Sequence, residues 1–184
     1  MSSMSGGLPI PLRSTDDALV DAVLELNERW VPHVGSITRE RLVHILDQAS
    51  FAVVLTSTED VPLVAGPTID GFVIVMGPGA DYDSPNYRYF EDRLADGRSP
   101  GGFRYVDRIA VDPGSQGVGI GRMLYEATFD DARAAGAAEV TCEVNLEPPN
   151  PDSQTFHARL GFAEVGRQWT YDGTVEVQLL ARPL

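Results

Sequence analysis

The stretch from Ile109 to Leu124, Ile-Ala-Val-Asp-Pro-Gly-Ser-Gln-Gly-Val-Gly-Ile-Gly-Arg-Met-Leu, constrains this chain more than any other part of it. It reads as an apolar strand, a turn, a glycine-rich loop and the opening of an amphipathic helix. Gly117, Gly119 and Gly121 stand at alternate positions, so the backbone can approach a bulky anion with no Cβ in the way. The first turn of the helix then offers unpaired N–H groups and roughly half a positive charge from its aligned peptide dipoles. A diphosphate suits that arrangement.

Spacing narrows the choice of diphosphate. The dinucleotide fingerprint needs glycines at i, i+2 and i+5. Counted from Gly117, the last position is Arg122; counted from Gly119, it is Leu124, so neither register works. A Walker loop needs Gly-Lys-Ser/Thr, and the chain has no lysine: its 14 basic residues are all arginine. A second block opens at Asn150 and runs Asn-Pro-Asp-Ser-Gln-Thr-Phe-His-Ala-Arg-Leu-Gly-Phe to Phe162.

In this order, the two blocks resemble the two signatures of the GCN5-related N-acetyltransferase (GNAT) superfamily. The run Gln116-x-x-Gly119-x-Gly121, with Ile-Ala-Val-Asp-Pro before it and Arg-Met-Leu after, is similar to that superfamily's acyl-CoA pyrophosphate loop. Asn150, Ser153, Phe156, Gly161 and Phe162 fall on positions of its second signature, and His157 stands where the superfamily usually carries tyrosine. The segments around Asp81–Tyr87 and Cys142–Pro151 also resemble an uncharacterised bacterial subgroup of predicted acetyltransferases, which implies no substrate. The resemblance implies an α/β fold with a mixed, mostly antiparallel central sheet and helices on both faces. It further implies that two central strands splay to admit the pantetheine arm of acetyl-CoA, the expected cosubstrate. The coenzyme contacts it implies are Ile109, Ala110, Val111, Gln116, Gly117, Val118, Gly119, Ile120, Gly121, Arg122 and Asn150.

Bulk properties set limits. With 184 residues and a 43% apolar share, one domain around one core is expected, over 8–184 behind a frayed tail at 1–7. No apolar run approaches the roughly 18 residues of a membrane span, and the start lacks a signal-peptide pattern, so cytoplasmic residence is the expectation. A lone cysteine, Cys142, excludes an internal disulfide and a thiolate cluster. His33, His44 and His157 are dispersed, and no metal site is expected. The net charge of −13 repels nucleic acid and attracts cationic amines. It also opposes an anionic coenzyme, whose grip must then be local, from backbone N–H groups and Arg122.

Along the chain, Leu8–Arg13 reads as a strand, Ser14–Asp17 as a helix cap, and the stripe Leu19, Val20, Val23, Leu24, Leu26 as a helix reaching Arg29. A break at 31–37 precedes a second helix from Thr38 to Asp47; Phe51–Thr56 and Gly71–Met76 are strands. The connection 77–102 is long and rich in Pro, Gly, Asp and Tyr. It contains a short helix over Ser84–Leu94 and has enough aromatic surface (Tyr82, Tyr87, Tyr89, Phe90) to line an acceptor pocket or to cover the core. From Tyr105 the order is strand to Val111, helix Gly117–Ala135, strand Glu139–Val144, helix Pro151–Leu160, and strands Phe162–Arg167 and Thr174–Ala181.

Acyl transfer to an amine needs a base, because an alkylammonium is no nucleophile. It also needs a donor for the oxyanion, an acid for the departing thiolate and alignment of the substrates. The Val-Thr-Cys-Glu-Val strand resembles the one that carries the base of ribosomal-protein N-terminal acetyltransferases, which makes Glu143 the first candidate. Asp107, beside Arg108, is the second; an ion-pair or structural role stays open for each. His157, at the superfamily's tyrosine position, is the candidate acid, against a packing role. Asn150 either touches the coenzyme or caps the next helix. Cys142 reads as core, and Trp30 and Trp169 as pocket lining or core cover. The expected function is acetyl transfer to a primary amine of a small molecule or peptide by direct attack in a ternary complex. The alternative is a non-catalytic acyl-CoA-binding module. Homodimerisation is common in the superfamily, and no partner surface is visible in the sequence.

Overall fold

The computed structural model describes residues 7–31, 34–56, 67–170 and 172–184. The expected tail at 1–7, apart from Gly7, and His33 lie outside the described residues. The elements are β1 (Ile10–Pro11), α1 (Asp17–Arg29), α2 (Arg39–Gln48), β2 (Phe51–Leu55), β3 (Gly71–Met76), α3 (Pro85–Ala95), β4 (Phe103–Val111), α4 (Ile120–Ala134), β5 (Glu139–Glu147), α5 (Pro151–Arg159), β6 (Ala163–Thr170) and β7 (Val175–Pro183). The strands form a seven-stranded sheet in the order β1-β2-β3-β4-β5-β7-β6, mixed and mostly antiparallel. Two compact units divide the chain: 1–75 with 108–128, and 76–107 with 129–184.

In the first unit, β1 and β3 flank β2, both antiparallel, with registers Ile10↔Val54 and Phe51↔Val75. The helices start where the sequence supplies an acceptor: Asp16 takes the N–H of Leu19, and Thr38 takes that of Arg41. The predicted apolar stripe of α1 is buried at Leu19, Val20, Val23 and Leu26, and α2 buries Leu42, Ile45 and Leu46. Gly71 opens β3 because nothing larger fits: a Cβ there would stand 2.8 Å from the carbonyl oxygen of Ala110 and 2.9 Å from a methyl of Ile120. The first strand is shorter than the predicted Leu8–Arg13, since only Ile10 and Pro11 have register partners on β2.

In the second unit, β7 is antiparallel to both β5 and β6, with bulges at Asn145/Glu147 and Glu164/Gly166. The parallel ladder between β4 and β5 is short, Phe103↔Glu139 to Tyr105↔Thr141, although each strand has nine residues. The long insert is folded into this unit. Ser84 caps α3, Tyr87 is 2% and Phe90 1% exposed, and their rings meet those of Phe103 and Tyr105 at 5.6–6.2 Å. The buried Arg93–Glu139 ion pair, shared by Ser99, fastens the end of α3 to β5. Tyr89 Oη donates to the carbonyl of Val165 at 2.5 Å, and Gly166 makes room: a Cβ there would collide with that hydroxyl.

The largest departure from the predicted boundaries is at α4, which begins at Ile120 instead of Gly117. Gly117 and Gly119 have φ of +77° and +95°, outside the right-handed helical region. The glycines therefore form the turn before the helix. The 15 residues of α4 are the longest helix among the described residues, and no described helix is long and apolar enough to cross a membrane.

Candidate active site

One group of candidate residues is the segment leaving β4 in the first unit. Ile109, Ala110 and Val111 close the strand, with Ala110 buried. Asp112 then caps a single turn over Pro113–Ser115, accepting the N–H of Gly114 at 2.9 Å. Four contacts fix this entry: Trp30 Nε1 to the Val111 carbonyl (2.8 Å), Arg29 to Asp112 (2.7 Å), the Asp112 N–H to the Asp70 carbonyl (2.7 Å), and Ser115 Oγ to Asp70 Oδ1 (2.5 Å). Gln116, Gly117 and Val118 are exposed, Val118 at 62%. Gly119 supplies the carbonyl that accepts the first intrahelical bond, from Met123 at 3.0 Å.

These residues fit a coenzyme diphosphate. A Cβ at Gly117 would meet nothing within 4 Å, so the loop is open on that side, and its positive φ favours glycine in any case. Ile120, Gly121 and Arg122 form the first turn of α4, where N–H groups lack intrahelical acceptors. The Arg122 guanidinium is exposed and rests 3.4 Å from Glu126.

A separate group of candidate residues lies in the other unit. Side chains alternate along strands, so Tyr105 and Asp107 share a face of β4. The register Tyr105↔Thr141 puts Thr141 and Glu143 of β5 on that same face. Arg108 turns the other way and donates to Asn27 Oδ1 (3.0 Å) and the Gly35 carbonyl (2.7 Å). Tyr82, from the insert, donates to Asp107 Oδ1 at 2.6 Å. Asp107 and Glu143 are half-buried, whereas Tyr105 beneath them is sealed, at 0% exposure. Burial, followed by the charges of Glu143 and Asp107, pushes the Tyr105 phenol well above its ordinary range. The two candidate bases and two tyrosines thus share one face.

His157 and Asn150 sit apart from that face in local roles. Asn150 caps α5 by accepting the N–H of Ser153 at 3.3 Å, with Pro151 in the first turn. His157 is buried between Phe156 and Phe162, with ring centroids at 5.4 Å on each side. Its Nδ1 lies 2.7 Å from the Ser153 carbonyl, which can only accept, so the ring proton sits on Nδ1. Burial holds its pKa below the ordinary histidine value, with the Ser153 carbonyl opposing. Among the described residues no group of three or more His, Cys, Asp or Glu is placed to hold a metal ion.

The model of the acetyltransferase (GNAT) family matches residues 82–162, which hold both glycine-rich loop and second signature. Over those residues the chain is similar to the GNAT acetyltransferases. Solved structures share its fold along nearly the whole length. The ribosomal-protein-S18-alanine N-acetyltransferase from Escherichia coli is 20% identical, with 96% of this chain and 92% of that one covered and a TM-score of 0.65. NAA60 from Arabidopsis thaliana, in complex with a bisubstrate analogue, is 14% identical over 96% and 97% at a TM-score of 0.71. Ard1 from Thermoplasma volcanium is 17% identical over 98% of each chain at 0.68. No curated protein matches the chain.

The family matched over 82–162 is one of acetyltransferases. Against that class, the sequence reading overlooked Tyr105 and placed Tyr82 only within a loose aromatic group. Tyr105 was within reach of it: two residues before Asp107 on a strand, it must share that residue's face. Tyr82 was not, because nothing local tells which strand an insert will touch.

Proposed function

We propose that the protein is an N-acetyltransferase, one domain over 8–184, that moves the acetyl group of acetyl-CoA to a primary amine of a small molecule or peptide by direct attack. The observation that carries this reading is the gathering of Asp107 and Glu143, with Tyr82 and Tyr105, on one face of the sheet. When bound, acetyl-CoA supplies an activated acyl carbon and a thiolate leaving group. The backbone of Gln116–Arg122 holds its diphosphate, and Ile109–Val111 offer main-chain groups to its arm. The short β4–β5 ladder supports entry of that arm between the strands.

Glu143 takes the proton from the acceptor's ammonium, and Asp107 holds the ammonium beside it. Each carboxylate stands on a strand, which keeps the amine in line for attack. His157 is not placed to act as the acid. As a neutral ring with its proton committed to Ser153, it has none to donate from Nε2. A coenzyme thiolate leaves readily near neutral pH, since a thiol's pKa is about 8.5, so water suffices as its acid.

The test is thiol release from acetyl-CoA with alaninamide, a tripeptide with a free amino terminus, and spermidine, alongside calorimetric titration of the coenzyme. Release with at least one amine, and acetylated product by mass, is the expected result. Coenzyme binding with no release on any acceptor would leave the alternative, an acyl-CoA-binding module, in its place.

A further inference from the structure

Two carboxylates held on one sheet face repel each other, and each holds its charge more easily if a donor faces it. The structure supplies two phenols. Tyr82 donates to Asp107 at 2.6 Å. Tyr105 is fully buried, and among the described residues its hydroxyl has no partner at full hydrogen-bond geometry. Glu143 lies on the same face of the sheet, and after burial its charge acts on the phenol most, ahead of those of Asp107 and Tyr82. A buried phenol among acids keeps its proton and so remains a donor at every working pH.

We propose that Tyr105 and Tyr82 are positioning residues for the transfer reaction, Tyr105 holding Glu143 as the ionised base and Tyr82 holding Asp107 as the anion that receives the acceptor's ammonium. This rests on the proposed transfer and goes beyond it: through Tyr82, the 77–102 insert becomes part of the acceptor site. The groups facing the cluster are Tyr105 and Asp107 from β4, Thr141 and Glu143 from β5, and Tyr82 and Tyr87 from the insert. Leu179, opposite Glu143 on β7, bears no charge. Tyr87 is pushed up to about 12, mainly by burial, and its hydroxyl serves the Gly77 carbonyl and Glu91, so it does not titrate in the working range.

The two phenols are predicted to fail differently. Tyr105→Phe removes one hydroxyl from a ring that otherwise packs on Tyr87 and Phe90. Glu143 then protonates more readily, so the acidic limb of kcat moves up by about one pH unit and kcat at pH 7 falls by up to about tenfold. In Tyr82→Phe it is Asp107 that protonates more readily, which relieves the repulsion on Glu143. The limb then stays or moves down, while KM for the amine rises several-fold.

The measurement is the pH profile of kcat and KM for both variants, using whichever of alaninamide, the tripeptide and spermidine turns over fastest, with acetyl-CoA affinity by calorimetry. Divergent limbs at unchanged coenzyme affinity are expected. Limbs that move together, or a Tyr105→Phe variant that melts lower with its limb in place, overturn the proposal and leave the phenols as packing. Should Tyr105→Phe not fold, Tyr82→Phe decides alone: raised KM without an upward limb supports the proposal, and unchanged KM overturns it. A parent enzyme that binds coenzyme but acetylates no amine defeats the transfer reading itself, before any variant is made.

Discussion

The indole N–H of Trp30, just past the end of α1, donates to the carbonyl oxygen of Val111, the last residue of β4, at 2.8 Å. The residues are 81 positions apart, and the bond lands at the step into the glycine-rich turn. With Arg29 on Asp112 next to it, α1 fixes where that turn begins. Trp30→Phe keeps most of the ring's bulk and leaves a half-buried carbonyl without its donor, at a cost of about 1–2 kcal/mol. A melting temperature lower by several degrees and a several-fold weaker coenzyme affinity are expected, read by thermal melting and calorimetry. No change in either would mean the bond does not hold the turn.

Gly119→Glu should abolish acetyl-CoA binding, because it places an anion at the diphosphate and forces a side chain into φ +95°. Gly117→Ala should cost only the backbone strain, about 1 kcal/mol, since the space around a Cβ there is open. Calorimetry separates them: retained affinity in Gly119→Glu refutes the loop assignment.

Removing the charge of either acidic side chain should act on turnover before it acts on the coenzyme. For Glu143→Gln, kcat should fall on the order of 100-fold, with a flattened acidic limb and an unaltered acetyl-CoA affinity. Asp107→Asn should mainly raise KM for the amine. The reverse pattern would exchange the two roles.

The pKa of His157 is depressed in the fold by burial. With the folded value below the unfolded one, the neutral ring's contribution to stability is complete above the unfolded pKa, about 6.5, and is lost as pH falls through the folded value. The urea midpoint should therefore decline as pH falls from about 6.5 toward the folded value, and His157→Gln should flatten the decline. The basic limb of kcat should stay in place in that variant; its loss would restore histidine as the acid.

Arg93 and Glu139 form a buried ion pair, their side chains 11% and 2% exposed. Truncating one partner strands the other's charge, so Arg93→Leu should destabilise by about 3–5 kcal/mol. A loss below about 1 kcal/mol in chemical denaturation, the range of exposed pairs, would show that Ser99 and solvent suffice for Glu139.

The sequence by itself determined the periodic and the punctuated parts of this protein. The apolar stripes, the caps at Asp16, Thr38, Ser84 and Asn150, and the spacing of Gly117, Gly119 and Gly121 each depend on neighbours within a turn or two. That is why the elements and the resemblance to the superfamily were legible there. The start of α4 was misplaced by three residues because glycine is compatible with both helix and turn, and only the φ values decide between them. Tertiary structure alone decided that the insert packs as core, since Tyr87 and Phe90 pack on Phe103 and Tyr105 of a separate strand. It also decided that Tyr82 reaches Asp107 and that the His157 ring N–H donates to the Ser153 carbonyl. Contacts of that kind depend on burial and on which strand lies beside which, and a chain of residues carries neither until it has folded.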